Sequence, residues 1–511
     1  MTRRGVNIAL ASIVLVGLVL RVLALRFEPA HHPDEFFQYL EPAWGRLTGA
    51  SIEAWEWRSG VRSWVLPGYH GAWMALLMRL GLHDGSTIGK ILQAHWALLS
   101  MSLVWAGWRG GILLTRRLAP DRDSGTAEAN LGEAASAKPA PAGWQGGLVG
   151  ALLCAAFPLQ VRFSIHTLSE HASILCMVCA LVLTAGLVRT PGRSGHEGRK
   201  QAAWMGLLLG LGICLRIQHA PVPLVVVLWL LVSRRFMLAL VACSASLLPI
   251  LLFGVVDRLT WGGFFASFIA YVKFNLVEGG AANFGTLPWK WYWTEFLHRL
   301  PIGLPILGFL CLLRIHRNWP FVASALGLTF LLSTQAHKEE RFVMLFWPLV
   351  LIAAAAGAGA WLMPPADSGA VLVEGVPVRP HRLPTWLVRS VILAALGMVL
   401  VDGARHCRGN DFTDLDTARY EAQIWAGKQA DMTGLLVDLS LYTGGYMWFS
   451  RSFPQPQFRA ECLANPLFSH VLVQRNSGSM REAERAGFTV VFSKDQMVVL
   501  RRSAKPEPRE P

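Results

Sequence analysis

The chain has 511 residues, 53% of them hydrophobic and 16% charged, whereas soluble proteins carry about a quarter charged residues. With a mean hydropathy of +0.39, an ordinary soluble globular protein is excluded. The net charge of +14 does not point to nucleic acid either, because the basic residues fall in short loops between apolar blocks, as cytoplasmic loops of membrane proteins do.

Apolar runs such as 6–25 and 348–363 match the roughly 20 residues needed to cross a hydrocarbon core of about 30 Å. The predicted spans, in chain order, are 6–26, 88–114, 146–163, 170–190, 201–216, 218–233, 236–257, 301–314, 319–334, 342–363 and 385–402. The first follows Thr2-Arg3-Arg4, lacks a small-residue cleavage site and is closed by Arg21 and Arg26, so it reads as an uncleaved helix rather than a signal peptide. A cytoplasmic N-terminus places all the basic loops inside: Arg116 to Lys138, Arg189 to Lys200, Arg234/Arg235, Arg314 to Arg317, and Arg379/Arg382. The apolar segment 64–82 contains Pro67, His70 and Arg79, and counting it as a span would invert every later loop. It is expected to be a surface-lying or re-entrant helix on the outer side.

Segments 120–143 and 364–384 are rich in small residues and proline and read as flexible linkers. Six of the eight cysteines (Cys154, Cys176, Cys179, Cys214, Cys243, Cys311) lie in apolar segments and read as small hydrophobes. Cys407 and Cys462 lie in the C-terminal region, where pairing is open. From about residue 403 the composition becomes soluble-like. Runs at 434–439, 470–473 and 488–492 alternate with polar helical stretches, and 488–500 reads as a hairpin with a polar turn. The expected organisation is a helical membrane domain over 1–402 and a small extracytoplasmic α/β domain over 403–511.

Two clusters carry candidate chemistry. His31-His-Pro-Asp-Glu-Phe-Phe-Gln38 stands where the first span leaves the membrane. A carboxylate held there, partly desolvated, suits a general base toward a hydroxyl; the plainer reading is a hydrated cap in which Asp34 and Glu35 open a helix. His337-Lys-Glu-Glu-Arg-Phe342 fills a tight hairpin on the same side. Lys338 and Arg341 suit a phosphate, or an internal ion-pair cluster with Glu339 and Glu340. Smaller signals share that face: Trp55-Glu-Trp-Arg58, Arg62, His166-Thr-Leu-Ser-Glu170, Arg216-Ile-Gln-His219, Phe274-Asn275 and Trp289-Lys-Trp-Tyr292.

At these residues the chain resembles the multispanning GT-C mannosyltransferases of N-glycan and glycosylphosphatidylinositol assembly. The matching stretches occur in family order over roughly residues 1–350: His32-Pro-Asp-Glu-Phe-Phe-Gln38, Trp55-Glu-Trp-Arg58, Arg62-Ser63, Thr167-Leu-Ser169, Lys273-Phe-Asn275, Gly285-Thr286 and, most specific, His337-Lys-Glu-Glu-Arg-Phe342. Family members usually have Arg before the Thr-Leu-Ser stretch and Asn after it. His166 and Glu170 here bear on the acceptor rather than the fold.

The resemblance implies a GT-C fold of about 11 transmembrane helices and a polyprenyl-phosphate sugar donor. It implies a glycan or glycolipid acceptor, membrane lipid as surroundings, and an active site on the non-cytoplasmic face. A bacterial inner membrane is favoured, with the ER membrane as the alternative. Asp34 is the expected base, with Glu35 the alternative or a positioning group. His337, Lys338 and Arg341 are expected to hold the donor phosphate. His32, Gln38, Trp55, Glu56, Arg62, Glu170, Asn275 and Trp291 are expected to line the substrates. One base and one displacement imply inversion at the sugar carbon. No cofactor and no metal are expected, since no metal-ligand spacing stands out. The rivals are a GT-C transferase for another sugar or a protein acceptor, and a glycolipid transporter. A transporter would place ionisable groups at the membrane midplane and show inverted repeats.

Overall fold

The computed structural model describes residues 2–27, 33–116, 140–190, 195–363, 371–373, 376–378, 384–408, 413–438 and 445–503. Helices occupy all eleven apolar segments: Arg3–Phe27, Gly85–Leu99 with Met101–Thr115, Trp144–Ala156 with Pro158–Phe163, Ser169–Arg189, His196–Leu215, Pro221–Val232, Phe236–Trp261, Gly303–Leu312, Ile315–Ser333, Phe346–Leu362 and Thr385–Arg408. Among the described residues, five helices are long and apolar enough to cross a membrane singly, or up to six if one bent pair counts as a span. The break at Phe157-Pro158 follows from proline, which lacks the N–H of a continuing helix and is well placed at a first helical position.

Phe346–Leu362 is the hub. It packs on Met101–Thr115, Trp144–Ala156, Gly303–Leu312 and Ile315–Ser333, and residues 346–359 are all buried. Its run of small residues, Ala353-Ala-Ala-Ala-Gly-Ala358, lets neighbouring backbones approach where dispersion contacts rather than water exclusion hold helices together. Its first turn emerges from the His337–Phe342 motif, so the motif is fixed to the most deeply buried of the candidate spans.

Three expectations are corrected. Arg21 does not close the first span but is buried within it. Its Nε donates to Ser100 Oγ at 2.5 Å and its Nη1 to the carbonyls of Gly17 and Ala155. The linker 364–384 contains a short antiparallel pair, β1 (Val371–Val373) and β2 (Val376–Val378). The helix of the last predicted span, 385–402, runs six residues further, over Thr385–Arg408. Segment 64–82 forms one helix, Val65–Arg79, packed on Glu41–Thr48. Most of 120–143 lies outside the described residues.

The C-terminal unit holds a four-stranded sheet in the order β3-β4-β6-β5: β3 (Leu435–Val437), β4 (His470–Gln474), β5 (Phe488–Lys494) and β6 (Met497–Arg502). Strands β3 and β4 are parallel, and the other pairs antiparallel. The expected hairpin is β5–β6, turned at Asp495-Gln496 with Asp495 in the left-handed region. Cys462 is half-buried and free, while the side chain of Cys407 lies outside what is described.

Candidate active site

The motif after the first span begins at Pro33, since His31 and His32 lie outside the described residues. Pro33–Glu35 is a helical turn that runs into a π turn, Phe36–Leu40, and on into Glu41–Thr48. Proline is preorganised for a helix start, and π turns recur at functional sites. Consecutive helical residues point about 100° apart, so the two acids separate. The Asp34 side chain keeps 30% exposure, and the Glu35 side chain has none. Glu35 accepts the Thr167 N–H at 2.7 Å and the Thr167 hydroxyl at 2.9 Å, and contacts His166 Nδ1. It thereby ties this turn to the start of Ser169–Arg189.

Asp34 meets Arg341. The Arg341 Nη2 donates to Asp34 Oδ2, and the same guanidinium grips Glu339 through Nε at 2.6 Å and Nη2 at 3.0 Å. The buried Glu170 carboxylate lies 3.9 Å from Arg341 Nε and 3.2 Å from Arg216 Nη2. Both guanidinium carbons lie over the Phe342 ring, at 4.8 Å for Arg216 and 5.1 Å for Arg341. Two like charges therefore share one ring, and Glu170 between them offsets their repulsion. Ser169 Oγ donates to Glu170 at 3.1 Å and accepts from Tyr39 at 2.8 Å, which brings in the π turn.

The rest of the site radiates from this cluster. Gln38 Nε2 donates to Glu56 at 2.9 Å, and Arg62 Nη2 is 3.7 Å from the same carboxylate oxygen. Burial works against the charge of Arg62, but Tyr39, Glu56 and Asp34 outweigh it and hold its pKa above the usual value. Trp55 lies against Phe274 and Phe284, with ring centroids at 4.9 and 5.5 Å. His337 sits edge-on to Phe284 and bonds Glu339 Oε1 at 2.9 Å. That hydrogen bond outweighs burial and raises the His337 pKa.

Three expected site residues are engaged in ways the sequence did not suggest. Lys338 is buried, and its Nζ donates to the carbonyls of Leu287 (2.9 Å) and Gln335. It pins the 285–290 loop to the hairpin, and burial pushes its pKa down. Asn275, in the π turn Lys273–Val277, spends its amide on the Tyr271 carbonyl at 3.0 Å. Trp291 packs on Tyr292 at 5.0 Å and lines a crevice with Glu295, Glu340 and Trp347. Arg216 and Ser169, which the sequence offers only within the smaller signals of that face, join the central cluster. The signal for Arg216 was an arginine between two apolar spans, which commonly marks a functional group in a membrane protein. Among the described residues, no group of three or more His, Cys, Asp or Glu converges as metal ligands do.

The fold is that of a known class. Over 96% of this chain and 97% of the other, it superposes on ArnT from Cupriavidus metallidurans, solved bound to undecaprenyl phosphate, with a TM-score of 0.60 and 13% identity; the apo form of that protein gives 0.57. In sequence, the chain is 28% identical over 406 residues to GPI mannosyltransferase 3 of Yarrowia lipolytica, covering 77% of this chain and 67% of that protein. It is 25% identical over 366 residues to GPI alpha-1,2-mannosyltransferase 3 of Danio rerio, covering 68% and 58%. The chain thus spans about three fifths to two thirds of the length of these relatives. Residues 12–123 and 134–444 match the Alg9-like mannosyltransferase family, and with the GT-C fold in place the chain belongs to that family.

Proposed function

We propose that the protein is an inverting α-mannosyltransferase that moves mannose from a polyprenyl-phosphate donor to a hydroxyl of a glycan or glycolipid on the non-cytoplasmic face. The observation that carries this reading is the contact between Arg341 and Asp34: it sets a part-exposed carboxylate beside a guanidinium. The relatives' names support mannose as the sugar and a glycolipid as the acceptor. The ArnT neighbour, held with undecaprenyl phosphate, is consistent with a lipid phosphate carrier.

In the step, the acceptor O–H gives its proton to Asp34, its oxygen bonds the mannose anomeric carbon, and the carbon–oxygen bond to phosphate breaks. The electron pair leaves with polyprenyl phosphate, whose added negative charge is met by Arg341 and protonated His337. A phosphate is a weakly basic leaving group, so no strong acid is required. Glu35, closed off from solvent, positions the turn, Lys338 shapes the donor loop, and no metal is assigned a role. Gln38, Trp55, Glu56, Arg62 and Glu170 frame the substrates around the pair, with Arg216 holding Glu170.

The test is label transfer by the purified protein from polyprenyl-phosphate [3H]mannose, beside GDP-[3H]mannose, into lipid and glycan extracts. Incorporation from the lipid-linked donor alone, with inverted anomeric configuration, is expected. Incorporation from the nucleotide sugar alone, or retention of configuration, overturns the reading.

A further inference from the structure

Three consecutive residues of the active-site turn are held by three different parts of the molecule. Asp34 meets Arg341, Glu35 meets Thr167, and Phe36 meets the C-terminal unit. The Trp448 ring lies on Phe36 with centroids 5.1 Å apart and planes at 21°, backed edge-on by Tyr420 at 5.1 Å. Phe36 stands two helical positions beyond Asp34, about 200° around the axis. Trp448 therefore presses on the turn from the side opposite the one Asp34 presents to Arg341.

The short helix Tyr446–Phe449 that carries Trp448 is bolted in place. Glu41, with no exposure, accepts the N–H groups of Tyr446 at 2.8 Å and Met447 at 3.1 Å, together with that of Ile52 at 3.0 Å. The Gly85 N–H donates to Ser450 Oγ at 2.7 Å. The approach is so close that a Cβ on Gly85 would lie 2.0 Å from the Met447 carbonyl oxygen. Gly445, at φ +97°, lies against the Phe36 ring, which a Cβ there would meet at 2.3 Å. Phe36, Leu40, Ile88, Tyr420, Met447 and Trp448 share one apolar core, so the sheet-bearing unit and the catalytic turn are packed as one body.

We propose that Trp448 is a positioning residue for the transfer reaction: by stacking on Phe36 it fixes the rotation of the turn that aims Asp34 at Arg341. This rests on the reading of Asp34 as the base. A tryptophan that only anchored the C-terminal unit would affect stability and leave the chemical step alone. A positioning tryptophan governs the order of 33–41 and the rate at saturating donor, because a misplacement of about 1 Å costs on the order of 10²-fold in rate.

The test uses the full chain in nanodiscs, with Trp448→Ala, Trp448→Phe and, as a control, Val471→Ala in the core of the sheet. Hydrogen exchange over 33–41 and the single-turnover rate are measured on each. In Trp448→Ala, exchange there is expected to rise by about tenfold or more as the local opening energy falls. The rate is expected to fall by about 10- to 100-fold with donor Kd nearly unchanged. Trp448→Phe should recover most of both, and Val471→Ala should lower Tm without changing either. If Trp448→Ala does not fold, Gly85→Ala, which displaces Met447, should give the same pattern. Folded Trp448→Ala or Gly85→Ala with wild-type exchange over 33–41, or with a wild-type rate, overturns the proposal, as does a Val471→Ala that reproduces its effects. Because exchange is read without substrate, a wild-type protein inactive toward the lipid donor would count against the proposed function and leave the clamp to be judged on its own.

Discussion

The Arg341 guanidinium donates to the Asp34 carboxylate across 307 positions of the sequence, joining the two polar clusters that the chain keeps at opposite ends of its membrane domain. Because Arg341 also grips Glu339 and lies near Glu170, a single cation is shared by three carboxylates. Its planar fork serves several acceptors at once, which a lysine cannot match. On the proposed reading, the arrangement sets the base, Asp34, directly beside the cation, Arg341, that would meet the phosphate charge.

Replacing Arg341 with Ala should be costly twice over. It takes from Asp34 and Glu339 the guanidinium they share, while Glu339 keeps its bond to His337. Because both carboxylates are part-exposed, the loss of stability should be about 1–2 kcal/mol. Arg341→Lys keeps the charge but loses the two-point grip on Glu339, so it should fold and bind donor about tenfold or more weakly. Thermal unfolding and donor titration separate the two effects. An unchanged donor Kd in the lysine variant would remove Arg341 from the phosphate role.

His337 gives a pH signature. Its hydrogen bond to Glu339, working against burial, raises its pKa, so the folded protein favours the imidazolium. That contribution is fully present below the unfolded value of about 6.5 and is lost as pH rises through the raised folded value. Donor affinity should fall over the same window, and His337→Gln should bind donor more weakly with that alkaline limb gone. An unaltered limb in the glutamine variant would assign it to another group.

Glu35→Gln should behave as a positioning lesion. The buried carboxylate accepts two hydrogen bonds from Thr167, and an amide presents a donor where acceptors are needed. A loss of about 1–3 kcal/mol of stability is expected, together with reduced turnover, whereas Asp34→Asn should leave Tm close to wild type. Equal Tm for wild type and Glu35→Gln would show that the contact is dispensable.

Much of this was legible in the sequence because hydrophobic length and polar interruption are strong signals. The eleven apolar runs became helices, and alternation at 488–500 became the β5–β6 hairpin. The two clusters stood out because each sets two adjacent acids close to histidine, which none of the basic loops expected on the other face does. What could not be read was direction. Adjacent acids in a helix diverge, and only packing tells that Glu35 turns inward while Asp34 stays open. Lys338 belongs to the same motif as Arg341, but its point charge was captured by two carbonyls. Arg21 looked like a boundary residue until Ser100 and two carbonyls accounted for most of its donors. The docking of Trp448 on Phe36 spans 412 positions, and no local pattern encodes it.

The most direct measurement is the single-turnover rate of mannose transfer from polyprenyl-phosphate mannose by wild type and Asp34→Asn, with donor binding measured on the same preparations. Loss of a positioned general base should lower the rate by about 10²- to 10⁴-fold while donor Kd changes little. A folded Asp34→Asn protein that binds donor and transfers mannose at near the wild-type rate would contradict the assignment of Asp34 as the base.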